Sequence, residues 1–113
     1  MATFTFSGAE GTFLVFSGGV ITSGNPGVPT VFNASVGKGV GISVTKFRFV
    51  AECGQNCNQT QPGDTIKVKA TTLLFASKVR IEYSLCGGQC RGTITEWYPG
   101  IGLGISGELK FKY

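Results

Sequence analysis

The chain has 113 residues, 42% hydrophobic but only 14% charged, with ten Lys and Arg against six Asp and Glu and no histidine. That length sets one domain, residues 1–113, with a modest core. The missing histidine excludes Ser-His-Asp triads, Cys-His pairs and imidazole metal sites, and no stretch reaches the ~20 apolar residues of a membrane-spanning helix.

The first 37 residues carry a single charge, Glu10. Two similar runs, "ATFTFSGAE" and "GTFLVFSGG", predict strands near 2–7 and 11–17 joined by a Ser/Gly/Ala turn. A loop "GGVITSGNPGVP" leads to a strand at 29–36, "PTVFNASV", and "GKG" returns the chain into "VGISVTKFRFVAEC". Four further strands follow in "DTIKVKATTLLF", "SKVRIEYSLC", "RGTITEWYP" and "SGELKFKY". Eighteen glycines and many β-branched and aromatic residues suit short strands and tight turns, and no run has the caps and period of a helix. The expected fold is an all-β, single-domain antiparallel β-sandwich of about eight strands, a jelly roll, with an immunoglobulin-like sandwich as the alternative. Its core is expected to hold Phe4, Phe6, Phe13, Val15, Phe32, Phe47, Phe49, Ile66, Val68, Val79, Ile81, Ile94 and Phe111. Open sheet edges are expected beside the uncharged N-terminal hairpin.

The four cysteines fall in "CGQNC" and "CGGQC", at Cys53, Cys57, Cys86 and Cys90. Each loop ends one of two similar segments, 45–57 and 77–90, so equivalent hairpins would bring both loops to one end of the fold. Disulfides are the leading reading, within or between the loops, since four cysteines allow three connectivities. A structural zinc held by four thiolates is the alternative cofactor. Redox catalysis is disfavoured, because the cysteines follow strands and not a helix N-terminus.

Eight of the ten basic residues form i, i+2 pairs: Lys46 and Arg48, Lys67 and Lys69, Lys78 and Arg80, Lys110 and Lys112. On strands each pair points to one face, which predicts a basic outer face. Glu52, Glu82 and Glu108 share that parity and dilute the field, and no aromatic sits between the charges to stack a base, which argues against nucleic acid. Glu82 and Glu96, on adjacent strands, read as cross-strand partners of basic residues and not as a catalytic carboxylate pair. The glycine-rich stretches match neither a P-loop nor a dinucleotide fingerprint. Trp97 is expected in the core, and Tyr98 near a loop with Asn25, Asn56 and Gln59 as a possible glycan site.

These observations predict a non-catalytic structural subunit of an extracellular assembly, either a virion capsid or decoration protein or a surface filament. Its partners would be copies of itself or other subunits, joined through sheet edges. A small lectin-like carbohydrate-binding module is the first alternative, and a polyanion- or nucleic-acid-binding domain the second. The N-terminus lacks the basic start and apolar run of a secretory signal, so synthesis in the cytoplasm without a signal peptide is expected, with function in a virion or extracellular assembly.

Overall fold

The structure is a computed structural model describing residues 2–54, 57 and 59–113. It is all-β, a single antiparallel sheet of seven strands, nearly closed into a barrel. In chain order the strands are β1 (Ala2–Phe13), β2 (Phe16–Ser23), β3 (Val31–Val36), β4 (Val40–Cys53), β5 (Thr65–Leu85), β6 (Cys90–Ile105) and β7 (Leu109–Lys112), with one 3-10 turn at Cys86–Gly88. Hydrogen-bonded order across the sheet is β3-β2-β1-β4-β6-β5-β7. The terminal strands β3 and β7 pack near each other without forming a ladder, which brings the sheet close to closure.

Two expected boundaries are corrected. The first run does not turn at Ser7–Ala9 but stays extended to Phe13. A Cβ on Gly8 would enter the Phe47 ring, so this glycine gives an aromatic room across the sheet and does not turn the chain. The turn falls instead at Leu14 and Val15, where Leu14 takes φ 58° and its N–H donates to the Gly41 carbonyl at 2.7 Å. Consequently β1 and β2 are each paired on two sides, and the sheet edge beside the N-terminal hairpin belongs to β3.

The second correction merges two expected strands into β5. Twenty-one extended residues would reach about 70 Å, yet the molecule is 41 Å long. The strand is therefore folded double. Thr72 and Ser77, roughly 17 Å apart in a straight strand, have their hydroxyls at 2.7 Å. The bend uses Leu74 at φ 61° and a register shift against β6 between Leu74 and Ala76. Pairing then continues from β6 into β7, with Thr71 opposite Ile105 and Val68 opposite Leu109, so a two-stranded ribbon bends as a unit.

The apolar core fills the half of the barrel away from this bend. Phe4, Phe6, Phe47, Phe49, Ile66, Val68, Val79, Ile81, Leu85, Leu109 and Phe111 are buried there. Phe6 and Phe49 stack with ring centroids 5.0 Å apart. Full burial of each such side chain contributes ~1.5–3 kcal/mol. Ile94 is half-buried against this core. Phe13, Val15 and Phe32, expected inside, are exposed, and so is Trp97. Strand parity explains Phe13, Phe32 and Trp97, each at a position whose Cβ points outward whatever its hydrophobicity, while Val15 sits in the turn between β1 and β2.

Gly102 adopts φ 114° in β6, and a Cβ there would meet the Ile42 carbonyl and the Ser43 Cα. Gly102→Ala should therefore separate β4 from β6 and cost at least ~1–2 kcal/mol. A lowered urea midpoint relative to wild type is the measurement.

Candidate functional site

The chain has two chemically distinct ends. At one, Cys53 is joined to Cys90 and Cys57 to Cys86, with Cα separations of 5.5 and 5.7 Å. Both bridges run between the loops, one of the connectivities that the sequence leaves open. A sulfur in a disulfide offers no thiolate, so the close approach of the Cys53, Cys57 and Cys86 sulfurs, within 4.8 Å, reflects the paired bridges and not the zinc alternative. Asp64, to which the sequence assigns no role, secures the same end. Its buried carboxylate accepts from the Gln61, Cys86 and Gly87 N–H groups at 2.7, 2.9 and 3.0 Å. The start and the end of β5 are thereby fastened together. The signal available was an acid in the turn "QPGD" just before a strand.

The basic pairs project outward from β4, β5 and β7. All are exposed except Lys67, which is half-buried opposite Lys110. Folding β5 double gathers Lys67, Lys69, Arg80, Glu82 and Glu108 around one shallow groove. Arg80 and Glu82 form an ion pair at 2.8 Å, the one among the described residues, and its exposure limits it to ~0–1 kcal/mol.

The residues expected to share a glycan loop do not come together. Asn25 spends its amide on β1, donating to the Thr3 carbonyl at 2.8 Å and accepting from the Thr5 N–H at 2.9 Å. Gln59 is exposed and lies against Gly27, while Asn56 is outside the described residues. Tyr98 lies within β6, not in a loop. Its ring meets Phe47 edge-on, and its hydroxyl donates to Glu96 at 3.3 Å. The aromatic expected to stack on sugar thus faces the core.

The opposite end reverses the usual barrel pattern. Cross-strand registers place Val36, Phe16, Phe13, Ile42, Leu103 and Leu73 side by side, an exposed row across six of the seven strands. Val40, Val44, Ile101 and Ile105 flank the row, Leu14 and Val15 occupy the turn beyond it, and Leu74 and Phe75 the outside of the β5 bend, Phe75 being 80% exposed. Three of these are phenylalanines more than half exposed; at ~200 Å² each they alone present roughly 300 Å² or more. The whole belt therefore exceeds the ~300–600 Å² of the largest patch on an ordinary monomer.

Behind this belt the interior is polar. Ser35, Ser17, Thr12, Ser43 and Gly102 occupy one inward row, and Asn33, Gly19, Glu10, Thr45 and Gly100 the next. Thr45, Thr72 and Ser77 close a ring of buried hydroxyls at 2.7 to 3.1 Å. Glu10 is 2% exposed and its carboxylate oxygens have no hydrogen-bond partner among the described residues. Burial pushes its pKa up to about 7. The sequence carried the signal for this inversion in β4. Apolar residues occupy positions 40, 42 and 44, then 47, 49 and 51, so the apolar phase slips by one while the strand alternates without a break.

Two outcomes follow. Replacing Cys53 and Cys90 together by Ser should lower stability by ~2–4 kcal/mol, read as a urea midpoint shift that reductant does not enlarge through this bridge. For Glu10, the folded state binds the proton more tightly than the unfolded one. Its contribution to stability is therefore flat below about pH 4.5, falls as pH rises to about 7, and is flat again above, a loss on the order of 3 kcal/mol. Glu10→Gln should abolish that slope in melts taken across the window. No protein-family model matches the chain, and neither a curated protein nor a solved structure is significantly similar to it.

Proposed function

We propose that the protein is a non-catalytic structural subunit of an extracellular assembly, a virion capsid or decoration protein or a surface filament, in which copies pack together. The observation that carries this reading is the outer face of β1, β2 and β3, which bears no charge. Thr3, Thr5, Ser7 and Ala9 line β1, Val20 and Thr22 line β2, and Phe32 and Ala34 line β3. Every Lys and Arg on a strand lies on β4 to β7. A solvated sheet normally carries charge on its outer face, and edge strands in particular are blunted by it. Here β3 is a terminal strand of the sheet without a charged residue, and Phe32 is 75% exposed on it. Sheet-to-sheet packing through that face, or strand addition at β3, needs no charge to be desolvated.

Within this reading the two halves of the bent β5 count as separate strands, which makes eight, the number of a jelly roll. Two inter-loop disulfides suit an assembly exposed to an oxidising environment.

Light scattering and negative-stain microscopy of the purified protein test the proposal. Ordered oligomers are expected, and Phe32→Lys with Thr5→Lys should dissolve them while leaving circular dichroism unchanged. A wild-type protein that stays monomeric at high concentration, with no ordered particles, refutes it.

A further inference from the structure

We infer that the inverted end of the barrel docks into one leaflet of an anionic lipid bilayer. This surface is separate from the charge-free sheet assigned above to contacts between copies, and the inference stands without that reading.

Four features select lipid as the occupant. The exposed row runs around six of the seven strands, and a folded partner pressing from one side leaves much of such a belt in water, whereas a surrounding apolar medium covers it. Leu14 and Val15 form the turn beyond the row, and Leu74 and Phe75 stand on the outside of the β5 bend, Phe75 beside Val44 and Lys46, so apolar residues occupy turns where soluble proteins place polar ones. The backbone of β1, β2, β4 and β6 is compatible with hydrocarbon, because each is paired on both sides, and the unpaired edges of β3 and β5 border the sector that the row leaves open. The rim is interfacial: Lys46 is the next outward residue after Val44 in β4, and Lys78 stands directly opposite Trp97. Cations meet lipid phosphates at that level, and an indole prefers the headgroup boundary.

Dimensions decide between docking and spanning. The outward apolar run covers Val40 to Val44 in β4 and Ile101 to Ile105 in β6, five residues or about 14 Å. A spanning strand needs roughly 9–11 residues, so this end enters one leaflet and stops. Lys38 is exposed in the turn before β4, beside Gly107 and the start of β7, on the sector the row leaves open. That sector, which also carries Glu108 and Lys110, faces the headgroups and fixes a tilted pose.

Trp97 is the sole tryptophan and is 60% exposed, so it reports on the rim. The wild-type protein should float with phosphatidylcholine vesicles containing 30% phosphatidylglycerol (about 1 in 3 anionic lipids). Its Trp97 emission should shift to the blue and be quenched by lipids brominated near the headgroup end of the acyl chain. Leu74→Asp with Phe75→Asp should weaken partitioning at least ~100-fold, and Ile101→Asp with Leu103→Asp should do the same from another strand, each with unchanged circular dichroism. Lys46→Gln with Lys78→Gln should weaken binding to the anionic vesicles by about 30-fold and leave binding to pure phosphatidylcholine unchanged. Failure of the folded wild type to float, or Trp97 that brominated lipid does not quench, overturns the inference. So does a lipid-free oligomer that the Leu74 and Phe75 substitutions dissolve, which would assign the belt to a protein interface. Vesicle binding by a protein that remains monomeric would uphold docking and remove the assembly reading alone.

Discussion

The sharp bend of β5 is the constraint on which the architecture depends. A ribbon made of β5 with β6 and β7 is too long for the molecule unless it turns back on itself, and the turn must be made without abandoning the ladder. Side chains on the inside of such a bend converge, so only small ones fit, and their polar atoms lose water. Thr72, Ser77 and Thr45 meet both conditions, because three hydroxyls in a ring can each donate one bond and accept one. A Cβ on Gly100 would collide with Ser77, which accounts for glycine at that point of β6. The return of the strand brings Asp64 to the Cys86 turn, where three N–H groups satisfy its buried carboxylate. One bend therefore creates both ends of the molecule: a small, polar interior at the fold, and a covalently fastened one where the strand ends meet.

The polarity of the outer surface follows from the same geometry. Where the interior is too narrow for phenylalanine, inward positions are Ser, Thr and Gly, and the apolar residues of β4 and β6 fall on the outward phase. Interior packing alone would be satisfied by polar residues outside as well. Val40, Ile42, Val44, Ile101, Leu103 and Ile105 contribute little to the core, since their side chains face away from it. Their hydrophobicity must be accounted for by something outside the chain. Glu10 belongs to this end too: a buried carboxylate with no described partner favours its neutral form, and its opposition to folding is tolerable only because the far end is secured by two disulfides and an aromatic core.

Much of the far end was readable in the sequence. Alternation in "KFRFVAEC" and "SKVRIEYSLC" gave strands with Phe47, Phe49, Val79 and Ile81 inside and the basic pairs outside, and the likeness of the two segments brought the cysteine loops together. The other end is not legible there, for physical reasons. Hydrophobicity alone puts Phe13, Val15, Phe32 and Trp97 inside, whereas parity sets the face of the three strand residues and a turn exposes Val15. The turn at Leu14 and Val15 carries none of the residues that normally permit φ > 0, and the β5 bend is marked by no Gly or Pro between 64 and 86. Neither turn has a local signature, because both are imposed by pairing to β4 and β6.

A consequence of this division is unequal local stability. Opening a segment costs whatever apolar burial and cross-linking hold it. At the cysteine end, rupture would expose the stacked Phe4, Phe6 and Phe49 rings and work against two covalent closures of 37 and 29 residues. At the inverted end the interior holds hydroxyls, glycines and one carboxylate, so its hydrogen-bonded ladder is the main source of cohesion. Left in water, that end combines weak internal packing with a large apolar exterior, the combination most prone to local opening and non-specific association. An apolar medium around it removes the exposed-surface penalty and strengthens the backbone hydrogen bonds by excluding competing water. The environment that best satisfies the exterior is thus also the one that best holds the ladder, and the two halves of the barrel are each stable for a different reason.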